Sequence, residues 1–170
     1  MRPRRILLPL IAVSVGALGV ASRSDIAPVL VWNASASAPL GLYRIADRAP
    51  QIGDLVLVEP DLDVTNFIVA RGYLPPETPL LKRVAALSGA EICRHCAAIF
   101  IDGNHVAEAL RVDSEGRDMP VWRGCFALRD DESFLLNAPR NSLDGRYFGA
   151  TKRAQVIGVA IPVLTWEGHR

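Results

Sequence analysis

The sequence predicts a mainly β domain over residues 26–170, preceded by one N-terminal transmembrane or signal helix over residues 1–25. Three observations predict it. Beyond residue 25 the apolar residues fall in short runs rich in Val, Ile and Leu, broken by Gly, Pro, Asn and Asp. Those runs do not alternate with helix-length patterns, as a parallel α/β fold requires. The uncharged stretch Ile6–Ser22 stands apart, with Arg2, Arg4 and Arg5 before it and Arg23 and Asp25 after it.

The N-terminal element comes first. Its 17 residues, Ile6–Ser22, make a helix of roughly 25 Å. A bilayer core is about 30 Å thick, so this is a short span. The arginines on its N-terminal side put the N-terminus in the cytoplasm and the following domain outside. A cleavable signal peptide shares this layout, and Gly19 and Ala21 are small enough for cleavage after Ala21. Both readings export residues 26–170. The expected location is the inner membrane, with the domain in the periplasm.

The expected strands are Val29–Trp32, Leu55–Glu59, Leu80–Val84, Ile99–Ile101, Phe134–Leu136 and Val156–Leu164. Asp102-Gly103-Asn104 reads as the turn of a hairpin from Ile99–Ile101 to Val106. Residues 61–72 hold a short helix. Pro75-Pro76-Glu77-Thr78-Pro79 is a loop, and the polar Asp113–Asp118 an exposed one. A length of 170 residues, half of them apolar, suits one globular domain. A net charge of +1 with no basic arm gives no case for a nucleic-acid partner.

The cysteines are Cys93, Cys96 and Cys125. Export permits a disulfide, and an odd count leaves one thiol over. Cys93-Arg-His-Cys96 also has the spacing of half a zinc site. No second CxxC completes it, so a disulfide is preferred and neither metal nor cofactor is assigned.

Ser37 stands in the small-residue run Asn33-Ala-Ser-Ala-Ser-Ala-Pro39. A serine hydroxyl needs a group to take its proton. The histidines are His95, between two cysteines, His105, after a turn, and His169, next to the C-terminus. No G-x-S-x-G elbow accompanies any serine. Lysine is scarce: Lys152 lies in a polar Thr-Lys-Arg run, and Lys82 in the apolar strand Leu80–Val84. Lys82 points either to solvent or into a pocket, and composition favours solvent. Pointing inward, burial would lower its pKa and let a neutral amine accept the Ser37 proton.

Ser37-Ala-Pro39-Leu-Gly41-Leu-Tyr43, Gln51-Ile-Gly53-Asp54-Leu-Val-Leu-Val58, Leu81-Lys82-Arg83-Val84-Ala-Ala-Leu-Ser-Gly89 and Asn141-Ser142-Leu-Asp144-Gly145-Arg146-Tyr-Phe-Gly149 form an ordered set. The set resembles the four boxes of the type I signal peptidases of the S26 family, in the form of the conjugative-transfer branch. The resemblance spans nearly the whole chain. It implies a signal-peptidase-like antiparallel β-sheet domain with Ser37 as nucleophile and Lys82 as general base. It also implies Ser35 as an oxyanion donor beside the Ser37 N–H, Ser142 as the group orienting the lysine, and Asp144 and Arg146 as a supporting pair. A purely structural ion pair in a turn is an equal reading of those two. General signal peptidases commonly carry Met after the nucleophile and Pro three residues after it. Here Ala38 and Pro39 take a different spacing, which favours the conjugative branch. Ala86, Ser88 and Gly145 depart from residues common in the lysine box and the last box, which leaves the local turn geometry open.

The implied function is a membrane-anchored Ser/Lys serine endopeptidase acting on exported precursors, such as a conjugative pilin, with cyclisation of the product as a variant outcome. Its partners are a pilin or preprotein substrate and the membrane. The alternatives are a housekeeping leader peptidase and a non-catalytic anchored β domain of a transfer apparatus.

Overall fold

The structure is a computed structural model that describes residues 29–166. The expected N-terminal helix and His169 lie outside the described residues. Among those described, no helix is long and apolar enough to cross a membrane.

Eleven strands are described: β1 Leu30–Asn33, β2 Leu40–Ala46, β3 Leu55–Val58, β4 Leu80–Ala86, β5 Glu91–His95, β6 Ala98–Ile101, β7 Asn104–Glu108, β8 Gly124–Ala127, β9 Glu132–Leu135, β10 Thr151–Lys152 and β11 Val156–Trp166. Two helices accompany them, α1 Leu62–Ala70 and α2 Gly145–Phe148. The strands form a seven-stranded sheet ordered β1-β2-β11-β3-β4-β9-β10 and a four-stranded sheet ordered β7-β6-β5-β8. Every pairing within them is antiparallel. The domain is therefore mainly β, and the short helix expected in 61–72 is present, capped by Asp61, which accepts from the Val64 N–H at 2.9 Å.

β11 forms the spine of the large sheet between β2 and β3, with register shifts at Val156/Gly158 and at Pro162/Leu164. Pro162 has no N–H to give a ladder, and a bulge absorbs that loss. Val56, Val58, Val84, Leu135 and Val159 pack the centre of this sheet. Ala86, Ile92, Ile99, Leu128 and Phe134 fill the junction with the small sheet. Ala38, Tyr43, Leu81 and Ala160 form a third cluster directly beneath the chain at Ser37.

Gly41 opens the path for β2 beside β11. A Cβ there would lie 2.1 Å from the Leu164 carbonyl oxygen, and its φ is +131°. Gly41→Ala is expected to lower stability by about 3 kcal/mol, from the clash and the backbone strain together. Urea denaturation measures it.

Some strands were not expected, and the structure adds detail to two features that were. β2, β5 and β8 were not predicted as strands: β2 carries Gly41 and Arg44, β5 buries the charged Arg94, and β8 begins at Gly124 with mixed exposure. Residues 113–118 are a turn closed by a Val112–Asp118 bridge. The expected exposed loop is there, with Ser114, Glu115, Gly116 and Asp118 exposed, but the Asp113 side chain turns inward and is only 7% exposed. The disulfide joins Cys93 to Cys125, direct cross-strand partners on β5 and β8, and leaves Cys96 as a free, exposed thiol. The disulfide takes Cys93 away from Cys96, its partner in the Cys93-Arg-His-Cys96 spacing of half a zinc site.

Candidate active site

Ser37 sits half-buried in the turn between β1 and β2. Asn33, buried at the end of β1, shapes that turn. Its Nδ2 donates to the carbonyls of Ser35 (2.9 Å), Ala38 (3.2 Å) and Pro39 (2.9 Å), and its Oδ1 accepts from the Ser35 N–H at 3.0 Å. The Tyr43 hydroxyl donates to the Pro39 carbonyl at 2.6 Å. Ala38 is buried against Tyr43 and Leu81, which leaves Ser37 on the rim. The Ser35 and Ser37 hydroxyl oxygens are 3.1 Å apart, and the Ser37 N–H donates to Ser35 Oγ at 3.4 Å.

Lys82 is central in β4, opposite Val56 of β3. Lys82, Val84 and Ala86 share the buried face, and Lys82 is only 5% exposed. The outward alternative for this lysine is therefore excluded. Its Nζ donates to Ser142 Oγ at 2.9 Å. Burial pushes its pKa down to about 8; Asp144 pulls it up and Arg146 pushes it further down.

Ser35, Ser37, Lys82 and Ser142 all line one cleft of ≈ 790 Å³. Its other walls include Leu110, Met119 and Tyr147, with Tyr73 and Asp113. Ser37 bonds to Ser35 and Lys82 bonds to Ser142, and the hydrogen bonds of the described residues do not include one between Ser37 and Lys82. Among the described residues, no histidine lines the cleft. His95 and His105 pack edge-on against Phe100 in the small sheet.

Asp144 and Arg146 form an ion pair at 2.9 Å with both side chains 0% exposed. Asp144 also caps α2, its Oδ1 accepting from the Arg146 N–H at 3.2 Å. Burial raises the Asp144 pKa, while Arg146 and main-chain donors work against that. Arg146 Nη2 further donates to the Asn137 carbonyl. The pair stands behind the lysine, and Asp144 lines a small cavity of ≈ 50 Å³ that also reaches Lys82. Gly145 has a structural cause: a Cβ there would meet the Phe134 ring at 2.7 Å and the Leu135 carbonyl at 2.8 Å.

Sequence reasoning missed Asn33, Asn137 and Arg94. Each asparagine stands at the end of a strand, where an amide signals a turn, but the sequence does not show which carbonyls it will reach. Arg94 donates to the Cys96 carbonyl at 3.0 Å and the Arg146 carbonyl at 2.7 Å, tying the small sheet to α2. On the far wall, the Tyr73 hydroxyl donates to Asp113 at 2.5 Å and Arg117 Nε donates to it at 2.7 Å. Burial works to raise the Asp113 pKa, but these donors hold it below the usual carboxylate range.

The family profile described as "Signal peptidase, peptidase S26" matches residues 4–166. A probable conjugal transfer protein TraF of Sinorhizobium fredii is 33% identical over 177 residues, covering 97% of this chain and 92% of that protein. A conjugal transfer protein TraF of Agrobacterium tumefaciens is 36% identical over 182 residues, covering 98% and 99%. Among solved structures, a signal peptidase I of Enterococcus faecalis matches at 20% identity with a TM-score of 0.38, covering 67% of this chain and 98% of that one.

Proposed function

The chain belongs to the signal peptidase S26 family, and from that premise we propose that it is a serine endopeptidase with a Ser37/Lys82 dyad. Its substrate on this reading is an exported precursor, a conjugative pilin, matured during plasmid transfer. The observation that carries the dyad is Lys82: a buried amine with a pKa of about 8, in the same cleft as Ser37, where no histidine of the described residues lies. The conjugal transfer proteins among its relatives favour transfer over general secretion. The short connection from Ser22 to Ser37 favours cleavage near the periplasmic face of the inner membrane.

In this mechanism the cleft holds the scissile carbonyl against Ser37. One N–H of the neutral Lys82 amine goes to Ser142 and leaves the lone pair for the Ser37 proton. Ser37 Oγ attacks the carbonyl carbon. The oxygen that gains the charge is met by the Ser37 N–H and, after rotation off Ser37, the Ser35 hydroxyl. The C–N bond then breaks, the Lys82 ammonium gives its proton to the departing amine, and an ester on Ser37 remains. Water deprotonated by Lys82 releases a carboxylate. Attack instead by the precursor's own N-terminal amine forms a peptide bond and a cyclic product.

The pH dependence follows from the lysine. Below about pH 8 most Lys82 is ammonium and has no lone pair. The rate of processing is expected to rise with pH through about 8 and then level off. Single-turnover cleavage of a synthetic pilin precursor across pH tests this, and the intact product mass separates a linear product from a cyclic one lighter by one water. A rate that levels off near pH 6.5 would point to a histidine and against Lys82.

A further inference from the structure

β4 and β9 stop pairing before they reach Lys82. Their ladder runs through Ala86–Phe134 and Val84–Leu135 with a register shift between them, and the Leu136 N–H donates to the Arg83 carbonyl at 2.9 Å. Beyond that point a side chain takes over. Asn137 is 3% exposed. Its Nδ2 donates to the Leu81 carbonyl at 3.0 Å, and its Oδ1 accepts from the Arg83 N–H at 2.8 Å. These are the peptide groups on either side of Lys82. The carboxamide thus bonds β4 as one more strand residue would. Its main chain faces the other way: its N–H donates to Asp144 Oδ2 at 3.0 Å, and its carbonyl accepts from Arg146 Nη2.

We propose that Asn137 is a positioning residue for Lys82, a joint that fixes the lysine segment of β4 to the Asp144–Arg146 pair and so sets where the amine lies against Ser142. This rests on the reading of Lys82 as the base. Ser142 is two residues from Asp144, so the groups around the amine share one anchor. An asparagine suits the task because the two peptide groups require a donor and an acceptor from one flat side chain. Aspartate offers acceptors only. It would turn lone pairs towards the Leu81 carbonyl and add a negative charge near the amine. The charged and titratable groups already around Lys82 are Asp144 and Arg146, Asp61 in the small cavity, and Tyr73, Asp113 and Tyr147 in the cleft.

The chain has two lysines, Lys82 and Lys152. Lysine labelled with ¹³C at Cε in the full-length protein therefore gives two NMR signals, and Lys82 can be titrated without knowing the substrate. Asn137→Asp is expected to raise the Lys82 pKa by about one unit, through the added charge and the lost grip. Asn137→Ser, which adds no charge and is the less disruptive change, is expected to raise it by less as water reaches the amine. The pH at which processing of a synthetic pilin precursor levels off should move with it. A purely structural role lowers the melting temperature and leaves the titration in place. If wild-type Lys82 titrates near 8 and neither variant moves it, Asn137 does not position the lysine and the base reading stands. If wild-type Lys82 titrates as an ordinary lysine, the base reading and this proposal both fail.

Discussion

Lys82→Met should lower precursor processing by at least about a thousandfold, the range that loss of a general base or of a cooperating catalytic group produces. The melting temperature should be equal or higher. Methionine keeps the unbranched apolar stem and removes a group that burial penalises whenever it is charged. The separation of the two readouts matters. A lysine that merely supported the fold would lose stability and activity together. Lys82→Arg complements it: arginine keeps the positive charge and a donor for Ser142 but cannot deprotonate. It is expected to fold and to be inactive at every pH from 6 to 10. Calorimetry and single-turnover kinetics on the same samples check both variants.

The largest effect on stability should come from Arg146→Ala. The guanidinium bonds to both Asp144 oxygens and to the Asn137 carbonyl at a site with no exposure. Its removal leaves the Asp144 carboxylate buried with only main-chain donors. Breaking one side of such a pair costs about 3–5 kcal/mol, a large share of the ~5–15 kcal/mol that holds a domain together. A drop of about 10–20 °C in melting temperature is the expected result. The double variant Asp144→Asn/Arg146→Met should recover part of that loss, since no charge is left behind. A strictly additive double variant would show that the pair acts as two separate groups.

The strands most visible in the sequence were those that bury both faces at the centre of the large sheet. Leu55–Val58 and the start of β11 read as apolar runs between breakers, and they occupy that place. β5 was not visible because its buried face includes Arg94, whose guanidinium is met by the Pro120 and Arg146 carbonyls, 26 and 52 residues away in sequence, as well as by the nearby Cys96 carbonyl. The disulfide was anticipated, but its partners follow from the register of β5 against β8, which local sequence does not encode.

At the site, the residues that line the cleft or stand beside Lys82 were legible, and the asparagines that hold them were not. Ser37 stood out as a serine with no histidine to serve it, and Lys82 as a lysine in an apolar strand. Composition favoured the solvent face for Lys82, and the structure reverses that, because a strand offers two faces and only packing chooses between them. Asn33 and Asn137 act on carbonyls up to 56 residues away in sequence, so their residue types suggested a turn and nothing more.

The most direct test of the account is mass spectrometry of a pilin precursor incubated with the full-length wild-type protein, Ser37→Ala and Lys82→Ala, each variant first shown by circular dichroism to be folded. The account predicts a cleaved product from wild type and uncleaved precursor with either variant. Cleavage at the wild-type rate by either folded variant would contradict it.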